Sequence, residues 1–392
     1  VSAPGGAGRA RLAAAAAALA LGAGCAALPG AGLFTRAPAE QRPAELLPIK
    51  QTVGARVLWQ ASAGSAGTAV FSPAIDAGQV YAAAADGTLS AWELASGRLV
   101  WRVQALRPAS GGVGAGDGLV VIGGPDGEVE AWTAAGKLVW KAQVSSAVHA
   151  PPLVSQGMVV VRSGDARLWG FDAATGERRW VYQRAAAPPL SVRSHAGLIG
   201  ARGSAIAGFA GGRLVALELR GGGVLLDVAV AIPRGATELE RVADITSVPV
   251  ADDRHLCAVA YRGRLACFEV PRGTLAWARD LSSLAGLDFD RRSVYSVDAT
   301  GIVHAFDRDG GASLWRQAGL RLRGVGTPRV VAGVVAVGDR EGFVHLLAPE
   351  DGSFVGRVAT DGSAIAGLPA VFPGGLVVQT RAGGVYALGI GR

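Results

Sequence analysis

The side chains best suited to chemistry are thinly spread along this chain. Its five histidines, His149, His195, His255, His304 and His345, fall in different stretches, without the two-His or His-Glu spacing that converging metal ligands need. Most of them read as surface or turn residues, and no metal or cofactor site is expected. Acidic pairs stand at Asp252-Asp253 and at Glu238 with Glu240. In loop sequence these are ordinarily solvated charges, and a glycosidase-like pair of carboxylates is the sharper alternative. Gly111-Gly112-Val113-Gly114 is followed by neither a helical pattern nor a P-loop lysine, so it does not read as a phosphate cradle.

The three cysteines are Cys25, Cys257 and Cys267. The last two flank a turn at Arg262-Gly263. With a two-residue hairpin loop, Ala258 would pair with Cys267 and Cys257 with Phe268, which sends the two thiols to opposite faces of the sheet. No disulfide is expected between them.

Those residues need a frame, and composition bounds it. The 392 residues are 50% hydrophobic and 18% charged, with 58 Gly against 10 Phe and 1 Met, which suits many short strands joined by Gly-bearing turns. A formal charge of +7 falls to about +5 without Arg9 and Arg11, and the basic residues are scattered singly among acidic ones. That pattern describes a solvated surface and argues against nucleic acid as a partner.

Residues 1–24 run from a basic stretch with Arg9 and Arg11 through the apolar Leu12 to Leu21 to the small residues Gly22, Ala23 and Gly24, just before Cys25. This is the layout of an export signal, and its apolar run is shorter than the roughly 20 residues of a membrane-spanning helix. The small residues and cysteine resemble a bacterial lipobox. The usual leucine three residues before the cysteine is here Gly22, with Leu21 one place earlier. The resemblance implies lipidation at Cys25 (palmitate among the acyl chains), and Ala26 implies sorting to the outer membrane. The alternative is ordinary signal cleavage nearby. Residues 25–50, rich in Ala, Pro and Gly, read as a flexible tether.

Residues 51–392 carry an internal repeat of about forty residues. Val80 to Trp101 contains an apolar strand, the turn Asp86-Gly87, a second strand, a turn with Gly97, and Leu99-Val100-Trp101. The order returns at Val120 to Trp140 and at Val159 to Trp180, then more weakly. The second turn residues stand at 87, 127, 166, 212, 263, 301, 342 and 383. Each copy supplies four strands, counting a short leading one such as Ser72-Pro73-Ala74-Ile75. One such sheet cannot bury both faces, but a closed ring of eight can, which predicts an all-β, eight-bladed β-propeller. Trp59, Trp101, Trp140, Trp180, Trp277 and Trp315 read as wedges between blades, with ligand stacking as the alternative. Val57-Leu58-Trp59 precedes the first complete copy, and the last copy lacks its final strand. The N-terminal strand is therefore expected to complete the last blade.

The order of turn Gly, apolar-Ala-aromatic, Asp, Thr-Gly and Trp, clearest from Trp169 to Trp180, resembles the pyrroloquinoline-quinone-type propellers. One branch comprises quinone-dependent dehydrogenases, usually longer and often carrying a vicinal cysteine pair that this sequence lacks. The other is the BamB family of outer-membrane protein assembly lipoproteins, which the stretch from Leu190 to Phe268 resembles more closely. Leu190-Ser191-Val192-Arg193 looks like that family's exposed apolar-and-arginine loop, and Thr237 to Thr246 like its acidic loop one blade on.

This resemblance implies a non-catalytic scaffold of the Bam complex, without cofactor, on the periplasmic face of the outer membrane. It would bind the POTRA domains of BamA, contact other Bam lipoproteins indirectly, and assist the insertion of unfolded barrel proteins. Leu190 and Val192 would be apolar anchors, Arg193 a charged contact and Asp244 a carboxylate. Thr246 stands where the family has an aspartate, which weakens the case for a salt bridge there. The plainer reading places Leu190 and Val192 in a blade core. The rival function is a quinone- or sugar-dependent oxidoreductase.

Overall fold

Apolar residues at alternate positions, interrupted every few residues by Gly-bearing turns, favour short strands because a pleated strand sends successive side chains to opposite faces. A computed structural model describes residues 42–184, 190–192 and 197–391, and all the regular elements among them are β-strands. They form eight antiparallel four-stranded sheets. Blades 1 to 7 span residues 74–104, 114–143, 153–182, 199–229, 250–280, 286–317 and 329–359. Blade 8 combines residues 370–391 with the N-terminal strand Gly54–Ser62, which pairs along Gly384–Gly391. The expected closure is thus the one observed.

The buried apolar side chains sort into eight clusters, one at each junction between neighbouring blades, including the junction of blade 8 with blade 1. At six junctions a tryptophan from the outer strand of one blade reaches the next. The Nε1 atoms of Trp59, Trp101, Trp140, Trp180, Trp277 and Trp315 donate to the carbonyls of Leu94, Ala134, Ala173, Leu219, Arg308 and Pro349 at 2.7–3.0 Å. Each ring also lies against a glycine of the next blade's last turn. A Cβ on Gly97, whose φ is +71°, would stand 2.6 Å from the Trp59 ring. The glycine therefore serves both the turn and the close approach of the indole. The wedge reading holds.

Two details of the hairpins differ from expectation. The turns between the second and third strands hold three residues, not two: Ala84 N–H donates to the Thr88 carbonyl and Gly87 N–H to the Ala84 carbonyl, with Gly87 at φ +86°. This is a type I turn followed by a left-handed residue. In blade 5 a loop of the same length, with Arg262 at φ +50° as its left-handed residue, pairs Ala260 with Arg264, which moves the register by one and sets Cys257 directly opposite Cys267. Counting from that pair, the cysteines occupy a non-hydrogen-bonded site, where side chains approach most closely. Their Cα atoms are 4.1 Å apart and the sulfurs are bonded. The expected absence of a disulfide is corrected, and the reason is the extra loop residue.

Three of the four described histidines also differ from the surface reading, since His255, His304 and His345 are buried. His345 Nδ1 accepts from Arg357 Nε at 3.2 Å, and its Nε2 meets Asp339 Oδ2 at 3.0 Å. Asp339 is also bonded by Arg323 Nε at 2.9 Å. Burial pushes the His345 imidazole below its ordinary pKa, and the Asp339 bond does not offset this. Burial together with Arg308 and Arg254 lowers His255 likewise.

Residues 43–53, largely expected within the tether, run along the blades. Ala44 N–H donates to the Arg321 carbonyl at 2.8 Å, and the Thr52 and Val53 N–H groups to the Val355 carbonyl at 2.9 and 3.0 Å.

Three outcomes are expected. Trp140→Ala should cost about 3–5 kcal/mol in denaturant unfolding, and Trp59→Ala, at the ring closure, a similar amount. Cys257 and Cys267 should resist alkylation in the unfolded protein until reductant is added, and replacing both by Ala should cost roughly 2–3 kcal/mol for so short a loop. Because the unfolded chain binds protons at histidine below about pH 6.5 while folded His345 and His255 resist them, stability should rise with pH across this window. Unfolding at pH 5 should need less denaturant than at pH 7.5; a flat profile would contradict the neutral buried state.

Candidate partner-binding surface

In each blade the chain runs along four alternating strands, so the turn between the second and third strands lies on the same face as the link to the next blade. The links from blade 3 to 4 and from blade 4 to 5 carry the residues singled out by sequence. The second is the longer, spanning 230–249. Within it Glu240 Oε2 accepts from the N–H groups of Ala236 and Thr237 at 2.8 and 3.1 Å, while Glu240 N–H donates to Thr237 Oγ1 at 3.2 Å. These reciprocal bonds resemble a helical capping box. They hold a single turn that leaves Leu239 66% exposed. Arg262 Nη1 donates to the Leu239 carbonyl at 2.7 Å, tying this turn to the blade 5 hairpin.

Four of the five expected contact residues meet on this face; Arg193, like Cys25, lies outside the described residues. Leu190 is 47% exposed, which suits an anchor better than a blade core. Val192 and Thr246 line the mouth of a central cavity of about 810 Å³ bounded by the inner strands.

Asp244 departs from its expected role. It is 2% exposed, and both carboxylate oxygens are engaged within the chain. Oδ2 accepts from the Val192 N–H at 2.6 Å and Oδ1 from the Gly211 N–H at 2.9 Å. Its own carbonyl accepts from the Tyr261 N–H at 2.8 Å. A carboxylate spent on two backbone N–H groups in a buried site is a brace, so Asp244 joins the Leu190 loop to blades 4 and 5. Arg162 is buried nearby with its guanidinium 5.3 Å from the centre of the Phe209 ring. Burial lowers its pKa to about 10, against the pull of Asp244, so it stays charged at neutral pH.

Sequence reasoning missed Ile232, 64% exposed, and the exposure of Leu239. An apolar residue between Glu238 and Glu240 was the available signal. The acidic pairs are less free than expected, because Asp252 is bonded to Arg308, which, with backbone N–H groups, outweighs burial and lowers its pKa to about 2. Among the described residues no group of three His, Cys, Asp or Glu side chains is placed to hold a metal.

A family model described as outer membrane protein assembly factor BamB matches residues 1–109, 86–317 and 299–391. The outer membrane protein assembly factor BamB of Bordetella pertussis is 39% identical over 361 residues, covering 92% of this chain and 93% of that protein. Its namesake in Nitrosomonas eutropha is 42% identical over 348 residues, covering 88% and 85%. The crystal structure of BamB from Moraxella catarrhalis superposes with a TM-score of 0.79 at 28% identity, covering 86% of this chain and all of that one. A quinohemoprotein alcohol dehydrogenase from Comamonas testosteroni reaches a TM-score of 0.69 at 14% identity, covering 86% and 76%, a likeness of fold alone. Matched along nearly its whole length, the chain belongs to the BamB family of outer membrane protein assembly factors.

Proposed function

We propose that this chain is a non-catalytic scaffold for outer-membrane protein assembly. It is held at the periplasmic face by acyl chains on Cys25 and docks on the POTRA domains of a BamA-like barrel protein. The observation that carries the reading is the braced loop, in which buried Asp244 fixes the Val192 backbone while Leu190 stays in solvent. An exposed apolar side chain on a fixed loop loses little entropy on binding, and beside an arginine it makes an efficient anchor. Leu190 and Arg193 are the contacts, with Val192 at the inner margin and Leu239 and Ile232 extending the apolar surface. Asp244 and Thr246 act from beneath, Asp244 by holding the loop. Other Bam lipoproteins are reached through the barrel partner, and unfolded outer-membrane proteins are the cargo. Several acyl chains, at about 0.8 kcal/mol per buried methylene, make a lasting anchor.

Detergent pull-downs from native membranes test this. Leu190→Ala/Arg193→Ala should reduce capture of a POTRA-bearing barrel protein at least tenfold with unfolding unchanged, whereas Asp244→Ala should reduce both capture and stability. Undiminished capture by a well-folded double variant would move the interface elsewhere. Cys25→Ser should lose palmitate labelling and release the protein from membranes.

A further inference from the structure

The wedge tryptophans occupy one repeated position. Trp101, Trp140, Trp180, Trp277, Trp315 and Trp59 each stand opposite a small residue on the adjacent strand, namely Ala91, Ala131, Gly170, Cys267, Ala305 and Ala387. Two junctions lack the indole. Between blades 7 and 8 the position is Gly356, opposite Leu346, and the space is taken: a Cβ on Gly356 would meet Leu346 Cδ1 at 3.1 Å and the Val53 carbonyl at 3.3 Å. Between blades 4 and 5 the position is Leu226, opposite Ala216.

There, every part that receives an indole elsewhere is kept. The opposite residue is small. The turn glycine is Gly273, at φ +65°. Phe268 stands where Phe171 and Phe306 stand against Trp140 and Trp277, with ring centroids 6.0 and 6.3 Å apart in those pairs. The Val270 carbonyl, three residues before the glycine as Leu94 is before Gly97, accepts no hydrogen bond from the described residues. Leu226 occupies part of the slot, since a Cβ on Gly273 would stand 3.2 Å from its Cδ1, but it is smaller than an indole, and beside it a cavity of about 430 Å³ remains, lined by Ala216, Leu226, Phe268, Val270 and Gly273.

We propose that this slot binds an indole side chain carried by an extended, uncharged segment of a partner polypeptide. It would pack against Phe268 and Leu226 and donate its N–H to the Val270 carbonyl. The slot opens beside the outer strand Val224–Ala229, which is paired on one side only and leaves Val224 and Leu225 55% and 60% exposed. Such an edge accepts a further strand. The charges at the rim are already matched: Arg272 with Glu269 at 2.9 Å, Arg202 with Asp253 at 3.5 Å, and Asp252 with Arg308. The rim therefore complements an apolar, uncharged segment. The site is separate from the Leu190 surface, because the last turn of a blade lies on the opposite face from the links between blades.

Fluorine NMR of the full folded chain tests this with two probes, a capped Thr-Val-Trp-Val-Thr peptide containing fluorotryptophan and free N-acetyl-fluorotryptophan amide. Two variants fill the slot: Leu226→Trp, as at the other junctions, and Ala216→Leu, as Leu346 does between blades 7 and 8. The peptide should bind saturably, roughly tenfold more tightly than the free amide because the edge strand adds main-chain bonds. Binding should vanish in whichever variant folds, and Leu226→Trp should hold or raise Tm by about 2–4 °C. No saturable binding, or equal binding to a folded filled variant, overturns the proposal. Equal affinity for peptide and free amide overturns the polypeptide assignment.

Discussion

The ring depends on one repeated contact, an indole from the outer strand of one blade laid on the last turn of the next and hydrogen-bonded to a carbonyl there. Burying a ring of this size removes a large apolar area from water, and the N–H bond prevents the buried nitrogen from becoming a cost. The contact also sets the spacing of the blades, because the turn glycine admits the ring face at a distance that any Cβ would forbid. Neighbouring sheets bury each other's faces only at that spacing, so the eight apolar clusters follow from it.

Closure then constrains the ends of the chain. Blade 8 takes its outer strand from residues 54–62, and Trp59 on that strand docks on blade 1. Blade 7 therefore meets a neighbour whose last two strands come from opposite ends of the chain. No turn exists there for an indole to cover, and Gly356, Leu346 and the incoming Val53 occupy the place instead. The departure from the repeat at this junction is a consequence of topology. At the junction of blades 4 and 5 topology offers no such reason, since the receiving turn is intact.

A rigid ring with long links on one face suits a scaffold. The blades hold their own hydrogen bonds, so the links can carry exposed apolar residues without loosening the core. Asp244 shows how the two are joined. Its buried carboxylate costs little because both oxygens accept N–H groups, and those bonds connect segments 52 and 33 residues away.

The sequence by itself determined the architecture: strand alternation, the spacing of turn glycines and the recurring tryptophans are short-range signals, and eight copies with one strand displaced to the N-terminus admit a single closed ring. The link that carries Leu190 and Val192 was legible only through resemblance to the family's apolar-and-arginine loop. The tertiary structure decided whatever depends on a one-residue register or on a partner far along the chain. A third loop residue brought Cys257 and Cys267 to one face. Asp244 turned inward because two distant N–H groups needed an acceptor, and His345 is buried because Asp339, Arg323 and Arg357 surround it. Leu226 reads in sequence as one more apolar residue. Only the packed junction of blades 4 and 5 shows that a larger ring belongs in that space, because a void is a property of what surrounds a side chain and has no signature in the chain itself.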